Sequence, residues 1–262
     1  MSAATTTAPT AASPTVHAQG VGVRLPDGTD ALTDVDLRLT SATSLGLVGR
    51  SGAGKSTLAR VLLGLQRPTS GEVLLDGAAL PRRRAGLRRF RRCLQYVPQD
   101  PAGSLDPRRD VAACLTEPLR SLAIDDDHDT CVERALDAVG LDTTFARRRC
   151  SSLSGGQAQR VAIARAIGTG ATLLVADEPL SSVDVGLRRD LAALLQHLHV
   201  DHGLGLLLIT HDLHAVASVC STAAVLHDGR MVEHGSTAQV LEAPTHPATR
   251  ALVDASRPGA LG

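Results

Sequence analysis

The sequence predicts an α/β fold: a core of mainly parallel sheet flanked by helices, with an N-terminal antiparallel β section and an inserted all-helical lobe. Three observations predict it. Short apolar runs of strand length alternate with segments of helical periodicity, which is typical of parallel strands connected by helices. The first strand-like runs are separated only by a turn, and a long middle stretch has no strand-like run. With 262 residues, the chain is long enough for one large domain or two lobes.

The elements of the first third follow from apolar spacing and turn residues. Residues 16–39 form short alternating pieces broken by the turn sequence at 26–28, which predicts the antiparallel section. Residues 44–48 are a short apolar run and predict a buried strand. Leucines and a valine at helical spacing predict a helix over 57–65, and residues 71–75 return to a strand pattern.

The middle of the chain, about 100–165, is expected to be the helical lobe. Residues 129–139 place their apolar side chains on one helical face, and Gly140 follows as a helix stop. The predicted domain limits are therefore a tail at 1–15, a core at 16–240 interrupted by the lobe, and a C-terminal segment at 241–262. Further buried strands are expected at 173–176, 206–209 and 223–226.

Composition excludes several classes of protein. Formal net charge is zero and aromatic residues are 1%, so neither a basic surface nor a set of stacking platforms favours nucleic acid as a partner. No segment approaches the roughly 20 apolar residues needed to cross a bilayer. The N-terminal tail is rich in Ala, Thr and Pro, which predicts disorder and not a secretory signal. The five cysteines have no paired spacing, which argues against a disulfide or zinc framework.

A phosphate-binding loop stands out between the strand at 44–48 and the helix that follows. Its pattern is G-x-x-x-x-G-K-[ST], and its glycines let backbone N–H groups turn inward toward phosphate oxygens. Lys55 is expected to reach the β- and γ-phosphates, and Ser56 to hold Mg²⁺. The core is thus predicted to be that of a P-loop NTPase. The expected nucleotide-binding residues are Gly49, Arg50, Ser51, Gly52, Ala53, Gly54, Lys55, Ser56 and Thr57.

Two acids end the strand at 173–176. In an α/β sheet, ligands bind beyond the carboxyl ends of the strands, so Asp177 is expected to hold Mg²⁺ directly or through water. Glu178 is expected to face the γ-phosphate and to polarise the attacking water. Alone, the pair would be read as a solvated strand end; beside a phosphate loop, the metal and catalytic interpretation is favoured.

A second glycine-rich segment identifies a family. Residues 153–157 read LSGGQ, and the segment resembles the signature of ABC ATPases. Ser154 can cap the helix that follows, and Gly155 and Gly156 leave backbone N–H groups open to a second phosphate. In that family the signature of one subunit closes over the nucleotide of another. The resemblance therefore implies that Ser154, Gly155, Gly156 and Gln157 contact ATP across a dimer.

Other elements resemble the family in the expected order, from about residue 16 to 255. Gln99 resembles the Q-loop glutamine, which senses the γ-phosphate and the metal. Residues 181–184 resemble the D-loop, and His211 resembles the switch histidine that contacts the γ-phosphate. The resemblance implies a catalytic set of Glu178, His211 and Gln99, a Mg²⁺ set of Ser56, Gln99 and Asp177, and ATP with Mg²⁺ as cofactors.

Further segments resemble importers of the dipeptide, oligopeptide and nickel type: residues 100–101, 104–108, 117–119 and 246–250. This resemblance implies an ATPase subunit at the cytoplasmic face of the membrane, peripherally bound, that energises import of peptides or nickel. The implied partners are transmembrane permease subunits, a second ATPase subunit that is either identical or a sister chain, and indirectly an extracytoplasmic substrate-binding protein. The transported substrate is left open.

Two other classes are alternatives to a transport ATPase: a soluble ABC ATPase that acts on DNA or ribosomes, and a non-hydrolysing nucleotide-binding regulator. An ABC ATPase of the DNA-repair type needs a long coiled coil between the phosphate loop and the signature, but about a hundred residues without heptads intervene here. The translation type usually carries two ATPase domains in one chain. A non-hydrolysing regulator should lack Glu178 or His211, and both are present.

One position departs from the family pattern. The aromatic residue that usually stacks on adenine is replaced by Leu25, which predicts weaker base selectivity, unless Leu25 packs in the core and another residue stacks. The arginines at 82–84 and 88–92 are read as a solvated helix face, since overall charge is balanced. His197, His199 and His202 spread around a helix axis and do not favour a metal site.

Overall fold

The structure, a computed structural model, describes residues 13–81, 83–181 and 183–256. Its strands are β1 (Val16–Arg24), β2 (Asp30–Leu39), β3 (Ser44–Val48), β4 (Ser70–Leu75), β5 (Ala78–Ala79), β6 (Leu94–Val97), β7 (Leu173–Asp177), β8 (Gly205–Ile209), β9 (Thr222–His227) and β10 (Arg230–Ser236). Its helices are α1 (Lys55–Leu62), α2 (Arg88–Cys93), α3 (Val111–Ser121), α4 (His128–Ala138), α5 (Gly155–Ile167), α6 (Val185–Val200), α7 (Leu213–Val219), α8 (Thr237–Glu242) and α9 (Pro247–Ser256). Four predicted features fall outside the described residues in whole or in part: residues 1–12 of the tail, Arg82, Ser182 of the D-loop segment and residues 257–262.

The main sheet has the strand order β10-β9-β3-β8-β7-β6. Neighbouring strands from β9 to β6 pair in parallel, and β10 adds an antiparallel edge through its hairpin with β9. Parallel neighbours need crossover connections, which the helices between these strands provide. The mainly parallel core predicted from the sequence is confirmed.

A second sheet, in the order β2-β1-β4-β5, is antiparallel throughout. The turn between β1 and β2 is held by the Gly28 N–H, which donates to the Leu25 carbonyl at 2.9 Å, and by the Leu25 N–H, which donates to the Thr29 carbonyl at 2.8 Å. Gly28 takes a φ of 87° in this turn. The N-terminal antiparallel section is therefore confirmed, with the break where the turn residues predicted it.

Strand β7 shows how both faces of the main sheet are covered. Leu173 and Val175 pack in an apolar cluster with the antiparallel sheet and α1, whereas Leu174 and Ala176 pack in the cluster formed with the helical lobe. Successive side chains of a strand point to opposite faces, so a strand buried on both sides is apolar at every position. This explains why the strand sequences were continuous apolar runs.

The inserted lobe is built from α3, α4 and the beginning of α5, with short 3₁₀ turns at Thr143–Arg147 and Cys150–Ser152. Asp110 and Asp127 cap α3 and α4 by accepting backbone N–H groups, and Gly140 ends the α4 region with a φ of 67°. A helical lobe in the middle of the chain is confirmed. The domain limits proposed from the sequence stay predictions.

The helix after the phosphate loop ends earlier than the periodicity predicted. It spans Lys55–Leu62, because Leu63 caps it and Gly64 takes a φ of 64°, which reverses the chain. Leu65, predicted as part of the helix, lies beyond this turn with 64% of its surface exposed. The predicted helix end at Leu65 was therefore wrong: Leu65 has helical spacing in the sequence but lies in the loop after α1.

The five cysteines are free thiols, but two of them meet in space. The Sγ atoms of Cys114 on α3 and Cys150 are 3.4 Å apart inside the lobe. Their separation of 36 residues gave no sign of this proximity. Among the described residues, none of the helices has the length and apolar character required to cross a membrane.

Candidate functional site

A cavity of about 970 Å³ opens at the carboxyl ends of β3, β7 and β8. It brings together residues that are more than 150 positions apart in the sequence, from the phosphate loop to the segment after β8. Ligand sites of α/β folds lie at this edge of the sheet. The predicted site residues that line the cavity are Ser51, Gly52, Gly54, Lys55, Ser56, Thr57, Gln99, Asp177, Glu178 and His211.

The phosphate loop needs its glycines for steric reasons. Gly54 has a φ of 106°, and a Cβ there would lie 2.5 Å from the Ala31 carbonyl oxygen. A Cβ on Gly49 would lie 2.3 Å from the carbonyl oxygen of Leu226. Both contacts are with backbone atoms and cannot be relieved by rotating a side chain. Gly49, Arg50 and Ala53 therefore shape the loop, although they do not line the cavity.

Lys55 lies at the start of α1 with its ammonium group folded over the loop. Its Nζ donates to the Gly49 carbonyl at 2.7 Å and to the Arg50 carbonyl at 3.1 Å. Partial burial lowers the pKa of Lys55, while the nearby Glu178 and Asp177 carboxylates oppose that shift. The cation is thus held at the loop, facing the two acids of the sheet edge.

Glu178 follows β7 in a backbone conformation that is unusual for a residue with a side chain. Its φ is 49°, and its carboxylate is 13% exposed. Oε1 accepts the N–H of His211 at 3.1 Å and lies 2.7 Å from Nδ1 of the same residue; Oε2 accepts the hydroxyl of Thr210 at 3.2 Å. A strained residue held by three contacts at a cavity wall is typical of a functional position.

Asp177 is the last residue of β7 and is only 9% exposed. Burial raises its pKa, and the hydroxyl of Tyr96, which lies 3.3 Å from Oδ2, acts in the opposite direction. The carboxylate faces the same cavity as Ser56 and Gln99. These three side chains offer the oxygen ligands that Mg²⁺ prefers.

The signature segment lies elsewhere. Ser154 caps α5 in a full capping box: its hydroxyl accepts the Gln157 N–H at 3.3 Å, and the Gln157 side chain accepts the Ser154 N–H at 3.1 Å. Ser154 and Gly155 are exposed, and none of Ser154, Gly155, Gly156 and Gln157 lines the cavity. The structure thus collects the phosphate loop, both acids, Gln99 and His211 into one site and leaves the signature outside it.

Part of the cavity wall was missed by the sequence reasoning. Thr29 comes from the turn before β2, Asp30 and Ala31 from the start of β2, and Asp228 and Gly229 from the β9–β10 hairpin. Asp228–Gly229 is a recognisable hairpin turn, but nothing in a turn sequence says what it packs against. The wall forms because the Gly229 N–H donates to the Ala53 carbonyl, and the Gly229 carbonyl accepts the N–H of Thr33.

Leu25 lines the same cavity and is half-buried against the antiparallel sheet cluster. The side chain thus packs on the core and also faces the cavity, and its effect on base selectivity stays a prediction. The three histidines near the end of α6 form no metal-binding group with other ligands in the described part of the chain. His197 instead lies 2.6 Å from the carboxylate of Asp201.

Comparison with protein families gives an independent result. The family model described as "ABC transporter" matches residues 32–181. "Nickel import ATP-binding protein NikE" of Brucella abortus is 39% identical over 230 residues, which cover 87% of this chain and 86% of that protein. "Probable D,D-dipeptide transport ATP-binding protein DdpF" of Escherichia coli is 36% identical over 226 residues, 86% of this chain and 70% of that protein.

Solved structures agree with these sequence relatives. CbiO1 of Clostridium perfringens, described as part of the ABC transporter complex CbiONQ, superposes with a TM-score of 0.78 at 26% identity, over 87% of this chain and 90% of that one. The ATP-binding cassette MJ0796, a dimer bound to ADP and Pi, gives a TM-score of 0.73 at 26% identity, over 85% of this chain and 98% of that one.

Proposed function

Because the chain belongs to the ABC transporter family as an ATP-binding and ATP-hydrolysing subunit, we propose that it energises the import of peptides or nickel through membrane subunits carried on other chains. The single observation that carries the nucleotide chemistry is the cavity in which Lys55, Gln99, Asp177, Glu178 and His211 converge. The cargo class follows from the named functions of the sequence relatives and from the importer-like segments.

Within the cavity, each side chain has a role that its position supports. The N–H groups of the phosphate loop and the N-terminus of α1 bind the β- and γ-phosphates, and Lys55 neutralises their charge. Glu178 orients and polarises the attacking water, because its carboxylate is fixed on both oxygens. His211, whose Nδ1 lies 2.7 Å from Oε1 of Glu178 and which lines the same cavity, is proposed to contact the γ-phosphate.

Magnesium fits this site by the chemistry of its donors. Ser56, Gln99 and Asp177 present a hydroxyl, an amide oxygen and a carboxylate to one cavity, and Mg²⁺ selects oxygen ligands. When bound, Mg²⁺ would neutralise negative charge on the β- and γ-phosphate oxygens. Asp177, kept nearly buried at the strand end, supplies the fixed negative charge for it.

The signature is proposed to act in trans, which requires a second ATPase subunit. Ser154 to Gln157 form a helix start outside the chain's own cavity, with Ser154 and Gly155 exposed, and a helix N-terminus binds phosphate. One chain has no need of two phosphate sites for one nucleotide. Two ATPase subunits, identical or sister chains, would then enclose ATP between the cavity of one and the signature of the other.

The permease is proposed to dock in a cleft between the core and the lobe. This interlobe cleft, of about 500 Å³, is lined by Leu63, Leu65 and Leu94 of the core and by Pro118 and Leu122 of the lobe. Leu65 is 64% exposed there. Polar side chains complete the lining: Arg88, Arg91, Gln95, Tyr96 and Ser121. A cleft of this mixed character between two parts of a cassette suits an amphipathic segment of a membrane subunit, and would place the chain at the cytoplasmic face of the membrane.

Co-purification from detergent-solubilised membranes tests the proposed function. The tagged chain should retain a permease and, where the dimer is mixed, a sister ATPase. Leu65→Asp should weaken that retention, whereas Val200→Asp, which changes another exposed residue (67% exposed), should not. If the wild-type chain retains no membrane protein, the transport function is contradicted. If Leu65→Asp and Val200→Asp retain the permease equally, the proposed docking site is contradicted.

A further inference from the structure

The only tyrosine of the chain lies beside the carboxylate assigned to Mg²⁺. Strands β6 and β7 pair in parallel with Tyr96 opposite Val175. Side chains alternate along a strand, so Asp177, two residues after Val175, points to the same face of the sheet as Tyr96. The Tyr96 hydroxyl accordingly lies 3.3 Å from Oδ2 of Asp177.

The two groups suit a lasting donor–acceptor pair. Tyr96 is half-buried, and its phenol hydroxyl is a donor as well as an acceptor. Asp177 is nearly buried and therefore needs donors that compensate for lost hydration. A hydroxyl directed at one oxygen of the carboxylate leaves the other oxygen available to the cavity.

We propose that Tyr96 is a positioning residue for Mg²⁺: its hydroxyl holds Oδ2 of Asp177 and thereby presents the carboxylate to the metal that accompanies the nucleotide. Groups that hydrogen-bond to metal-binding carboxylates fix their orientation, and losing such a group typically costs about 10–100-fold in metal affinity. Tyr96 also lies three residues before Gln99. One short segment would therefore supply one metal ligand, Gln99, and the hydrogen-bond donor that orients a second ligand, Asp177. The inference rests on the proposed role of Asp177.

The effect can be measured without hydrolysis by using ADP. In calorimetry, Tyr96→Phe should bind ADP without Mg²⁺ as the wild type does, but should need about tenfold more Mg²⁺ to reach half-saturation. Thr172→Val is a matched control, since it removes a hydroxyl near the other end of β7. Among the described residues that hydroxyl has no hydrogen-bond partner, and its loss should leave Mg²⁺ affinity unchanged.

The single tyrosine also provides a direct signal. Protein labelled with ¹³C at the tyrosine ζ carbon should give one resonance, because the chain has one tyrosine. Adding Mg²⁺ to the ADP-loaded protein should shift that resonance, and Asp177→Asn should abolish the shift. This signal reports the hydrogen bond itself, which a merely structural role of Tyr96 would not couple to Mg²⁺.

Three results would overturn the proposal: wild-type Mg²⁺ affinity in Tyr96→Phe, a resonance indifferent to Mg²⁺, or an equal loss of Mg²⁺-free ADP affinity, which would indicate damage to the fold. Asp177→Asn separates this inference from the proposed function. If Asp177→Asn keeps wild-type Mg²⁺ affinity, the metal assignment itself fails. If it loses affinity while Tyr96→Phe does not, only the role of Tyr96 fails.

Discussion

Two helices of this chain begin at glycine-rich segments, and their N-termini are built differently. Helix α1 begins after Gly54, which has a left-handed conformation and no side-chain cap. Helix α5 begins after Ser154, whose hydroxyl and the Gln157 side chain form a complete capping box. Both ends carry the partial positive charge that attracts phosphate.

The surroundings of the two N-termini also differ. The start of α1 lies in the cavity with Asp177 and Glu178, whereas the start of α5 is exposed and outside it. An uncapped helix start leaves its N–H groups for a ligand bound in place, while a capped one is stable without a ligand. We infer that the N-terminus of α1 binds the chain's own nucleotide and that the N-terminus of α5 binds the nucleotide held by a partner subunit.

The largest effect is expected from Glu178→Gln, which tests the role of the cavity at the N-terminus of α1. Hydrolysis should fall by about 10²–10⁴-fold, the usual contribution of a general base, while ATP binding stays intact. The reason is that Lys55, Ser56 and Asp177 still hold the nucleotide. Phosphate release and ATP affinity, measured on the same preparation, check this; hydrolysis near the wild-type rate would remove Glu178 from the mechanism.

Ser154→Arg tests the role of the signature at the N-terminus of α5. The side chain would obstruct a partner's phosphate, and hydrolysis by the assembled ATPase should fall by about 10²–10³-fold, as when a phosphate-stabilising donor is removed. Glu133→Arg adds a cation to an exposed position of α4 in the same lobe and should hydrolyse ATP normally. Equal loss in both variants would point to charge or folding and away from the signature.

A smaller effect is expected at Leu25, on the wall of the cavity. Leu25→Tyr would offer adenine a flat face, and base–aromatic stacking is worth about 1–3 kcal/mol. ATP should therefore bind more tightly, by about tenfold, and its preference over GTP should increase. Competition binding with ATP and GTP measures both. A strong ATP preference in the wild type, unchanged by the substitution, would mean that another residue recognises the base.

The smallest effect should lie outside the lining of the nucleotide cavity, in the segment that anchors α9. Glu233 accepts the N–H groups of Thr245 and His246 at 2.8 and 3.0 Å. Partial burial opposes its ionisation, but these hydrogen bonds prevail and lower the pKa of Glu233 to about 2. A lowered pKa stabilises the fold above the unfolded value near 4.5, and the stabilisation is lost as pH falls toward 2.

Urea unfolding between pH 6 and 3 measures this contribution. The free energy of unfolding of the wild type should decline by up to about 1 kcal/mol more than that of Glu233→Gln, after allowance for solvent screening. Identical pH profiles of the two proteins would show that Glu233 makes no such contribution. Since Glu233, Thr245 and His246 are not among the residues that line the nucleotide cavity, ATP affinity at neutral pH should be the same in both proteins.

The sequence predicted the residues that line the cavity better than it predicted the contacts behind them. The placement of Lys55, Asp177 and His211 in one cavity could be predicted because each lies at or after the carboxyl end of a recognisable strand, and strand ends of a parallel sheet meet at one edge. The contact between Tyr96 and Asp177 depends on β6 lying next to β7, which strand order alone decides. The proximity of Cys114 and Cys150 depends likewise on packing within the lobe.

The central claim is that this chain's cavity holds its nucleotide without help from its own signature. Calorimetric titration of ATP into the isolated monomer, for the wild type, Lys55→Ala and Ser154→Arg, tests it most directly. We predict that Lys55→Ala loses most of its ATP affinity and that Ser154→Arg binds ATP as the wild type does. A loss of affinity in Ser154→Arg equal to that in Lys55→Ala would contradict the claim.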